Sequence, residues 1–324
     1  MLRSINVLMT ARGDKPHEAA RTIAPVSWNA ELRPCPLCGN HAFTKLGRRG
    51  GPSHRAGLGM ETTIVRCRNC HGVYPRPFLI PDRNPYEAYV AEDYFHGKDQ
   101  AEKVAGGRLL AQRAKELLGR SGRMLELGCG RGEQLLGARE AGWDVAGVDM
   151  TAGFVPADGG LSIEVAPVES AASLDRTYEA IILAAILEHL YDPIECLRRV
   201  HDALVPGGVV FIDVPNECSL WARVGNAYMH LRGRDWAINL SPTFPPFHVV
   251  GFCPGSLATA LAATGFSVVT LETPRWNNDL PVSRGIVQRF ESLGTDVVLA
   301  AGQIIGQGAG ITCWARRANG QRAT

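Results

Sequence analysis

Three things are scarce in this chain, and each scarcity excludes a class of protein. The first is charge imbalance. Across 324 residues, 34 Lys+Arg meet 32 Asp+Glu for a net charge of +2, so whole-chain electrostatics carry no nucleic-acid footprint. The second is a long apolar run. The densest, Ala180–Leu187, is far shorter than the roughly 20 residues that span a bilayer. The third is a secretory leader, since Met1–Arg12 lacks the apolar core of a signal peptide. No internal repeat is visible either. What remains is 45% hydrophobic and 20% charged, an ordinary globular composition that excludes disorder, collagen and coiled coil for the bulk. The length suits about two domains at roughly 150 residues each. Nine cysteines without a secretory signal read as reduced thiols and a metal site rather than a disulfide framework, which places the chain in the cytoplasm.

Composition divides the chain. Residues 1–28 carry Arg3, Arg12, Lys15 and Arg21 with little periodicity and read as a leader. Residues 29–81 read as a small cysteine domain, too short of aliphatic residues over 33–81 to build its own core. Residues 82–324 read as the main domain, opened by an aromatic linker (Tyr86, Tyr89, Tyr94, Phe95). There the pattern alternates helix and strand. Helices are expected at Ala101–Leu118, Glu133–Ala141, Asp192–Leu204 and Pro254–Thr264. Strands are expected at Arg123–Leu127, Asp144–Val148, Tyr178–Ala185, Val209–Val214, Phe266–Glu272 and Ile311–Ala315. This alternation predicts an α/β fold with a parallel, doubly wound sheet. Two long connections interrupt it, Arg275–Gly308 and the aromatic-rich Asn216–Gly251, and connections of that length are often lids or binding loops.

Cys35-Pro-Leu-Cys38-Gly and Cys67-Arg-Asn-Cys70-His are two Cys-x-x-Cys knuckles. Two thiolate pairs on tight turns can surround one tetrahedral Zn²⁺, with Gly39 and Gly72 easing the turns and the Gly/Arg-rich stretch Gly47–Gly59 forming a hairpin extension between them. Four thiolates leave no open position, so the zinc would be structural, and His41 and His71 are bystanders. Arg48, Arg49 and Arg55 can touch phosphates or simply form a solvated loop.

Glu126-Leu-Gly128-Cys129-Gly130-Arg-Gly132-Glu133 follows a strand and opens a helix, the position where α/β proteins cradle nucleotides. The dinucleotide fingerprint needs glycine at 133, where this chain has Glu. A pyrophosphate also disfavours the acid at 126, which suits a ligand carrying an ammonium group. Asp149 ends the next strand, where a carboxylate can accept hydrogen bonds from both ribose hydroxyls.

This ordered set resembles the class I S-adenosylmethionine-dependent methyltransferases over roughly residues 90–316. The resemblance rests on Leu125-Glu126-Leu-Gly128-Cys-Gly130-Arg-Gly132, Val148-Asp149, Tyr178-Glu179-Ala-Ile-Ile-Leu, Leu187-Glu188-His189-Leu-Tyr-Asp192-Pro193 and Leu204-Val-Pro206-Gly207-Gly208. Arg66-Cys-Arg-Asn-Cys-His-Gly-Val-Tyr-Pro-Arg-Pro is similar to the second knuckle of the zinc ribbon that precedes many small-molecule and sugar methyltransferases. The resemblance implies a Rossmann-like, seven-stranded, doubly wound sheet with a small N-terminal zinc ribbon. It also implies a cofactor site. The backbone of Gly128, Gly130 and Gly132 would approach the methionine part, Glu126 the amino group and Asp149 the ribose, with Cys129 and Met150 also in the cofactor site. Val168 and Glu169 would lie at the adenine, with Pro167 where an acid usually stands. Ala184 would line the pocket, and Tyr94 beside Phe95 would close over the cofactor's carboxylate.

Methyl transfer from a sulfonium needs a nucleophile held near the methyl carbon with water excluded, and a base only if the acceptor must lose a proton. Two histidines are candidate catalytic residues: His189 beyond the strand at Ala180–Ala185, and His248 at the end of the aromatic insert. Glu188 is read as a helix-start hydrogen-bonding group and His201 as a surface residue. The quinone-methylating branch carries a divalent-metal site with an upstream acid where this chain has Ala185. The expected reaction is methyl transfer to oxygen or nitrogen of a small-molecule acceptor (a natural product, sugar or lipid-linked intermediate) by a monomer or homodimer. Relatives that methylate deoxysugar carbon carry a further C-terminal domain, and this chain ends soon after Ala315. Two alternatives stand beside this reading. One is an RNA methyltransferase gripping substrate with the ribbon, disfavoured by the near-neutral charge. The other is a non-catalytic cofactor-binding scaffold.

Overall fold

The computed structural model describes residues 26–88, 100–154, 160–238, 240–275 and 286–318. Its N-terminal part is built on β1 (Trp28–Glu31), β2 (Phe43–Arg49), β3 (Thr62–Cys67), β4 (Val73–Arg76) and β5 (Phe78–Pro81). The middle three form an antiparallel sheet that carries both cysteine knuckles, while β1 pairs with β5. Most of the leader (1–25) lies outside the described residues.

Helix α1 (Gln100–Leu118), β6 (Arg123–Leu127), α2 (Glu133–Glu140), β7 (Asp144–Asp149), β8 (Ser162–Val165), β9 (Tyr178–Ala184), α3 (Pro193–Ala203) and β10 (Leu204–Pro215) follow. Then come α4 (Leu220–Leu231), α5 (Pro254–Ala263), β11 (Phe266–Glu272), α6 (Ile286–Ile304) and β12 (Gly310–Arg317). The seven strands lie in the order β11-β12-β10-β9-β6-β7-β8. The five from β8 to β10 are parallel, and β12 runs antiparallel to both neighbours. This is the Rossmann-like doubly wound sheet. Its strand order reverses between β6 and β9, which opens a crevice at the carboxyl ends of those strands.

Both faces of the sheet are covered. On one, α1 and α2 pack with Met124, Ala138, Trp143, Ile182 and Trp314. The two helices touch backbone to backbone because Gly137 faces Val104, and a Cβ there would lie 2.0 Å from the Val104 carbonyl oxygen. On the other face, Leu125, Leu127, Val148, Leu183, Leu197 and Leu257 share one core with Leu37, Val65, Tyr74 and Phe78 of the cysteine segment. That segment therefore completes its core against the sheet, as its shortage of aliphatic residues required. No described helix is long and apolar enough to cross a membrane.

The structure corrects several sequence expectations. The turn Pro206-Gly207-Gly208 does not precede a strand but lies inside β10, whose register breaks between Leu204 and Val209. Both long connections contain a helix, α4 and α6. His201 is buried rather than surface, because Gly265 leaves room for its ring, which stands edge-on to Phe266 at 5.4 Å. Cys218 and Cys253 are joined by a disulfide, so not all nine cysteines are thiols. That bridge ties the start of α4 to the start of α5, closing off the aromatic insert.

Candidate functional site

The glycine loop leaves β6 through three left-handed residues, Gly128, Gly130 and Gly132, at φ 71°, 53° and 78°. Such angles favour glycine because a side chain would clash with its own backbone. The Gly128 and Cys129 amides donate to the Val148 carbonyl at 2.8 and 3.1 Å, which pins the loop against β7. Glu133 at the start of α2 is buried and neutralised by Arg131 at 2.6 Å and Lys103 at 3.7 Å. Cys129 is a buried space-filler beneath Gly147, its thiol pushed up by burial and by the neighbouring acids.

Glu126 is different. It is 5% exposed, and its Oε2 has no hydrogen-bond partner. Burial, then the nearby Glu133 and Asp149, push its carboxyl up to about 8 against the pull of Lys103. A buried carboxylate oxygen without a donor is costly, and a cationic ligand would relieve it. Asp149 is also buried, with its carboxyl raised by burial. Its Oδ2 accepts from Gly130 N at 2.8 Å and its Oδ1 from Thr151 N at 2.9 Å. Each oxygen keeps a second lone pair for a ribose hydroxyl.

The remaining expected cofactor residues surround this pair unevenly. Met150 is 41% exposed beside Asp149. Val168 is buried and Glu169 exposed, and the carbonyls of both accept from Arg199, at 3.0 and 2.6 Å. Ala184 ends β9 half-buried. Tyr94 lies outside the described residues.

Beyond β9 the chain turns sharply. Ala185 is left-handed at φ 54°, a strained angle for a residue with a Cβ, and its amide is held by the Asp213 carbonyl at 2.8 Å. Ile186 then packs on the glycine loop, where a Cβ on Gly128 would lie 2.3 Å from its Cδ1. Two residues later comes Glu188, 1% exposed, with neither carboxylate oxygen hydrogen-bonded. Burial, against a weak pull from its own backbone amide and with some help from Asp213, pushes its carboxyl up to about 8. The expectation that Glu188 serves the helix start is overturned. Asp192 caps α3, accepting from Glu195 N at 2.9 Å.

Glu188 instead meets both candidate histidines. Its Oε1 is 3.9 Å from His189 Nε2 and 3.9 Å from His248 Nε2, and the two rings are 4.8 Å apart. His248 arrives from the insert just after a second left-handed residue, Phe247 (φ 63°). It is held there because the Val249 and Val250 amides both donate to the Glu188 carbonyl, at 2.7 and 3.0 Å. Burial and the neighbouring His189 hold its imidazole well below the ordinary histidine range. Tyr86, expected only to pack in the linker, places its hydroxyl 3.0 Å from His189 Nδ1 and 2.5 Å from the Pro246 carbonyl.

The insert that brings His248 is docked on the cysteine segment. Arg48 N donates to Asp235 O (2.7 Å) and Ala237 N to Arg48 O (3.0 Å), and Val73 and Gly251 exchange backbone bonds at 2.9 and 2.7 Å. Arg48 also pairs with Glu61 and Asp235, and Arg49 donates to the Leu240 carbonyl while lying over the Phe244 ring. Both arginines are thus engaged within the chain.

Cys35, Cys38, Cys67 and Cys70 converge, all four Sγ atoms lying within 4.8 Å of one another. Cys35–Cys70 and Cys38–Cys67 are each 3.5 Å apart, close to the roughly 3.8 Å edge of a tetrahedron with 2.3 Å Zn–S bonds. Gly39 is left-handed in the first knuckle, as expected. In the second, the left-handed residue is His71 rather than Gly72. Gly72 is needed for space, since a Cβ would meet Leu37 at 2.7 Å.

The sequence model of a family described as "Methyltransferase domain" matches residues 98–271, more than half of the chain, and the chain belongs to that family. Among curated proteins it is similar to the ubiquinone biosynthesis O-methyltransferase of Ruegeria pomeroyi. Identity is 27% over 135 residues, covering 37% of this chain and 54% of the relative. The chain spans about half the length of the curated relatives it matches. Among solved structures it is similar to a SAM-dependent methyltransferase from Archaeoglobus fulgidus (19% identity, 69% of this chain and 97% of that one, TM-score 0.46). It is also similar to the plantazolicin methyltransferase BpumL in complex with SAH (11% identity, 73% and 91%, TM-score 0.47).

Proposed function

We propose that this enzyme methylates an oxygen, or failing that a nitrogen, of a small-molecule acceptor. One observation carries the reading. Glu126, whose Oε2 lacks a partner, and the Glu188–His189–His248 cluster stand at the adjacent strands β6 and β9, with Ile186 packed on the glycine loop between them in the chain. When bound, S-adenosylmethionine would supply an electrophilic methyl group on a sulfonium. Glu126 would receive the ammonium group, Asp149 the ribose, and the backbone of Gly128 to Gly132 the methionine part. Val168 and Glu169 would bound the adenine side, with Met150 and Ala184 lining the pocket. The proton lost by the acceptor would be handled at His189 and His248. The ubiquinone O-methyltransferase relatives support oxygen as the acceptor atom.

We further propose a structural Zn²⁺ on Cys35, Cys38, Cys67 and Cys70, and three parts: a leader (1–28), a zinc ribbon (29–81) and the methyltransferase domain (82–324). The insert near 216–251 would form the acceptor-side wall. Internal engagement of Arg48 and Arg49 supports a small-molecule acceptor over RNA. Incubation with methyl-labelled S-adenosylmethionine, a panel of hydroxylated aromatics and sugars, and bulk tRNA tests this. Label is expected in the small-molecule fraction; label confined to tRNA would overturn the reading.

Cofactor affinity should depend on pH through Glu126. Its folded carboxyl titrates at about 8 against an ordinary value of 4.5, so the ligand-free protein holds a proton that the unfolded chain has released. Its contribution to stability is present below 4.5 and is lost as pH rises through about 8. Binding an ammonium group favours the carboxylate and expels that proton. The dissociation constant should therefore fall from pH 6 to about 8, by up to about tenfold per unit. It should rise again once the ligand's own α-amino group, near pH 8, is lost. Calorimetry across this range checks the slope, and Glu126→Gln should flatten it.

A further inference from the structure

We infer that the Cys218–Cys253 disulfide is a reversible modification site: a dithiol reductant opens it, and the opened pair loosens the insert that carries His248 while the cofactor crevice keeps its shape. Of the nine cysteines this is the one bonded pair, and the other seven are free. The bridge joins residues 35 positions apart, at the points where the insert leaves and rejoins the sheet domain. Cys218 lies between β10 and α4, and Cys253 is the N-cap residue of α5.

The two sulfurs are not equivalent. Cys218 is half-buried, whereas Cys253 is 4% exposed, so an incoming thiolate reaches Cys218. Cys253 is then the leaving group. Its place at a helix N-terminus stabilises a thiolate, and a more stable leaving thiolate speeds exchange. The first thiolate of the reductant bonds to Cys218 Sγ, the bridge breaks, and its electron pair leaves on Cys253 Sγ. The second thiolate of the same reductant attacks the reductant sulfur in that mixed disulfide, and Cys218 leaves in turn. The two protons released by the reductant end on the two protein sulfurs, and the reductant, oxidised by two electrons, ends as a cyclic disulfide. The new Cys253 thiol has an acceptor in place, because the His71 carbonyl lies 3.5 Å from its Sγ.

The neighbouring backbone is held without the bond. Asn216 N donates to Ala309 O and Glu217 N to Phe252 O, both at 2.8 Å, and Asn216 Nδ2 donates to Gly308 O at 2.8 Å. Cys253 N donates to Ser256 Oγ at 2.8 Å, and Leu257 N to Cys253 O at 3.0 Å. The fold therefore survives reduction, and what the bridge adds is a stop to fraying. While it is closed, any opening of the insert halts at 218 and 253. Once it is open, fraying can run on through the Glu217–Phe252 bond, the Val73–Gly251 exchange and the Val249 and Val250 amides that hold the Glu188 carbonyl. Segments held by few bonds open locally without global unfolding. Those last amides fix the place of His248, so reduction acts on the acceptor side; that consequence rests on the methyl-transfer reading, whereas the latch itself does not.

The test uses the full chain with its zinc content monitored. Native protein is treated with dithiothreitol, alkylated and mapped by peptide mass. Cys218 and Cys253 should take up the label while the buried Cys129, Cys196 and Cys313 do not, and oxidised glutathione should restore the bridge. Hydrogen exchange over residues 216–253 should quicken about tenfold or more on reduction, as expected for local opening. Cys253→Ser should show the same exchange with no reductant present. Exchange in α1 and α2, and S-adenosylhomocysteine affinity, should change less than about twofold in both cases, since local opening leaves the rest of the fold closed. The inference is overturned if the pair stays as thiols in oxidised glutathione, if the bridge resists dithiothreitol until the protein unfolds, or if exchange over 216–253 is unchanged in reduced and variant protein. It is equally overturned if exchange rises throughout the chain, since the bridge would then be a staple of the whole fold. Oxidised protein that shows the latch but binds no S-adenosylhomocysteine would sink the methyltransferase reading and leave the latch standing.

Discussion

Replacing Cys67 and Cys70 together by serine should leave protein that is largely insoluble, or that melts at least about 10 °C below wild type. The apparent folding contribution of a structural zinc, about 10–16 kcal/mol in small zinc domains, rivals the whole stability of a typical domain. Here the damage would not stay local. Cys35, Cys67 and Cys70 are buried in the same core as Leu125, Leu127 and Val148 of the central strands. The ribbon also holds the insert through the Arg48 and Val73 backbone bonds, and so sets where His248 stands. Metal analysis should find one zinc per wild-type chain on the cysteines. A double variant with unchanged melting would contradict the structural role.

The second large effect concerns Asp149. Asp149→Ala should weaken S-adenosylhomocysteine binding by about 100-fold or more. Hydrogen bonds to a charged group are worth about 1.5–3 kcal/mol each, and two ribose hydroxyls are at stake. The loop itself would also loosen, because Gly130 N and Thr151 N lose their acceptor. Asp149→Asn, which keeps one acceptor oxygen, should lose less. Calorimetry with the thioether product reads both, and a change below threefold for the alanine variant would remove Asp149 from the cofactor site.

How much of this was legible beforehand differs by element. The glycine loop, Glu126, Asp149 and the two cysteine knuckles were readable because each is a short local pattern whose chemistry depends on near neighbours in the chain. Four of the five parallel strands were readable as short apolar runs, whereas β8 (Ser162–Val165) was missed because none of its four residues is fully buried. The acceptor-side cluster was only half legible. His189 and His248 each stood out, but Glu188 was misjudged because its role depends on a partner from the far end of the insert. The signal that could have raised it is a carboxylate immediately before a histidine at a strand's carboxyl end, with an abler cap, Asp192-Pro193, already present four residues on. Tyr86 was visible only as one linker aromatic among several, since its contact with His189 spans 103 positions. The Cys218–Cys253 bridge was missed for a similar reason. Compartment reasoning treats all cysteines alike, whereas the fold brings this one pair to a Cα separation of 5.3 Å. Gly72 was expected to ease the turn of the second knuckle, but the left-handed residue there is His71, and Gly72 serves to clear Leu37.

The central claim is that the crevice beyond β6 and β7 wraps an adenosyl sulfonium through Glu126 and Asp149. Titrating S-adenosylmethionine into the wild-type protein by calorimetry, beside NAD⁺ as a pyrophosphate control, tests it most directly. The account predicts one site per chain that saturates below millimolar ligand, is weakened by Glu126→Gln, and is indifferent to NAD⁺. No heat at millimolar S-adenosylmethionine, or its displacement by NAD⁺, would contradict it.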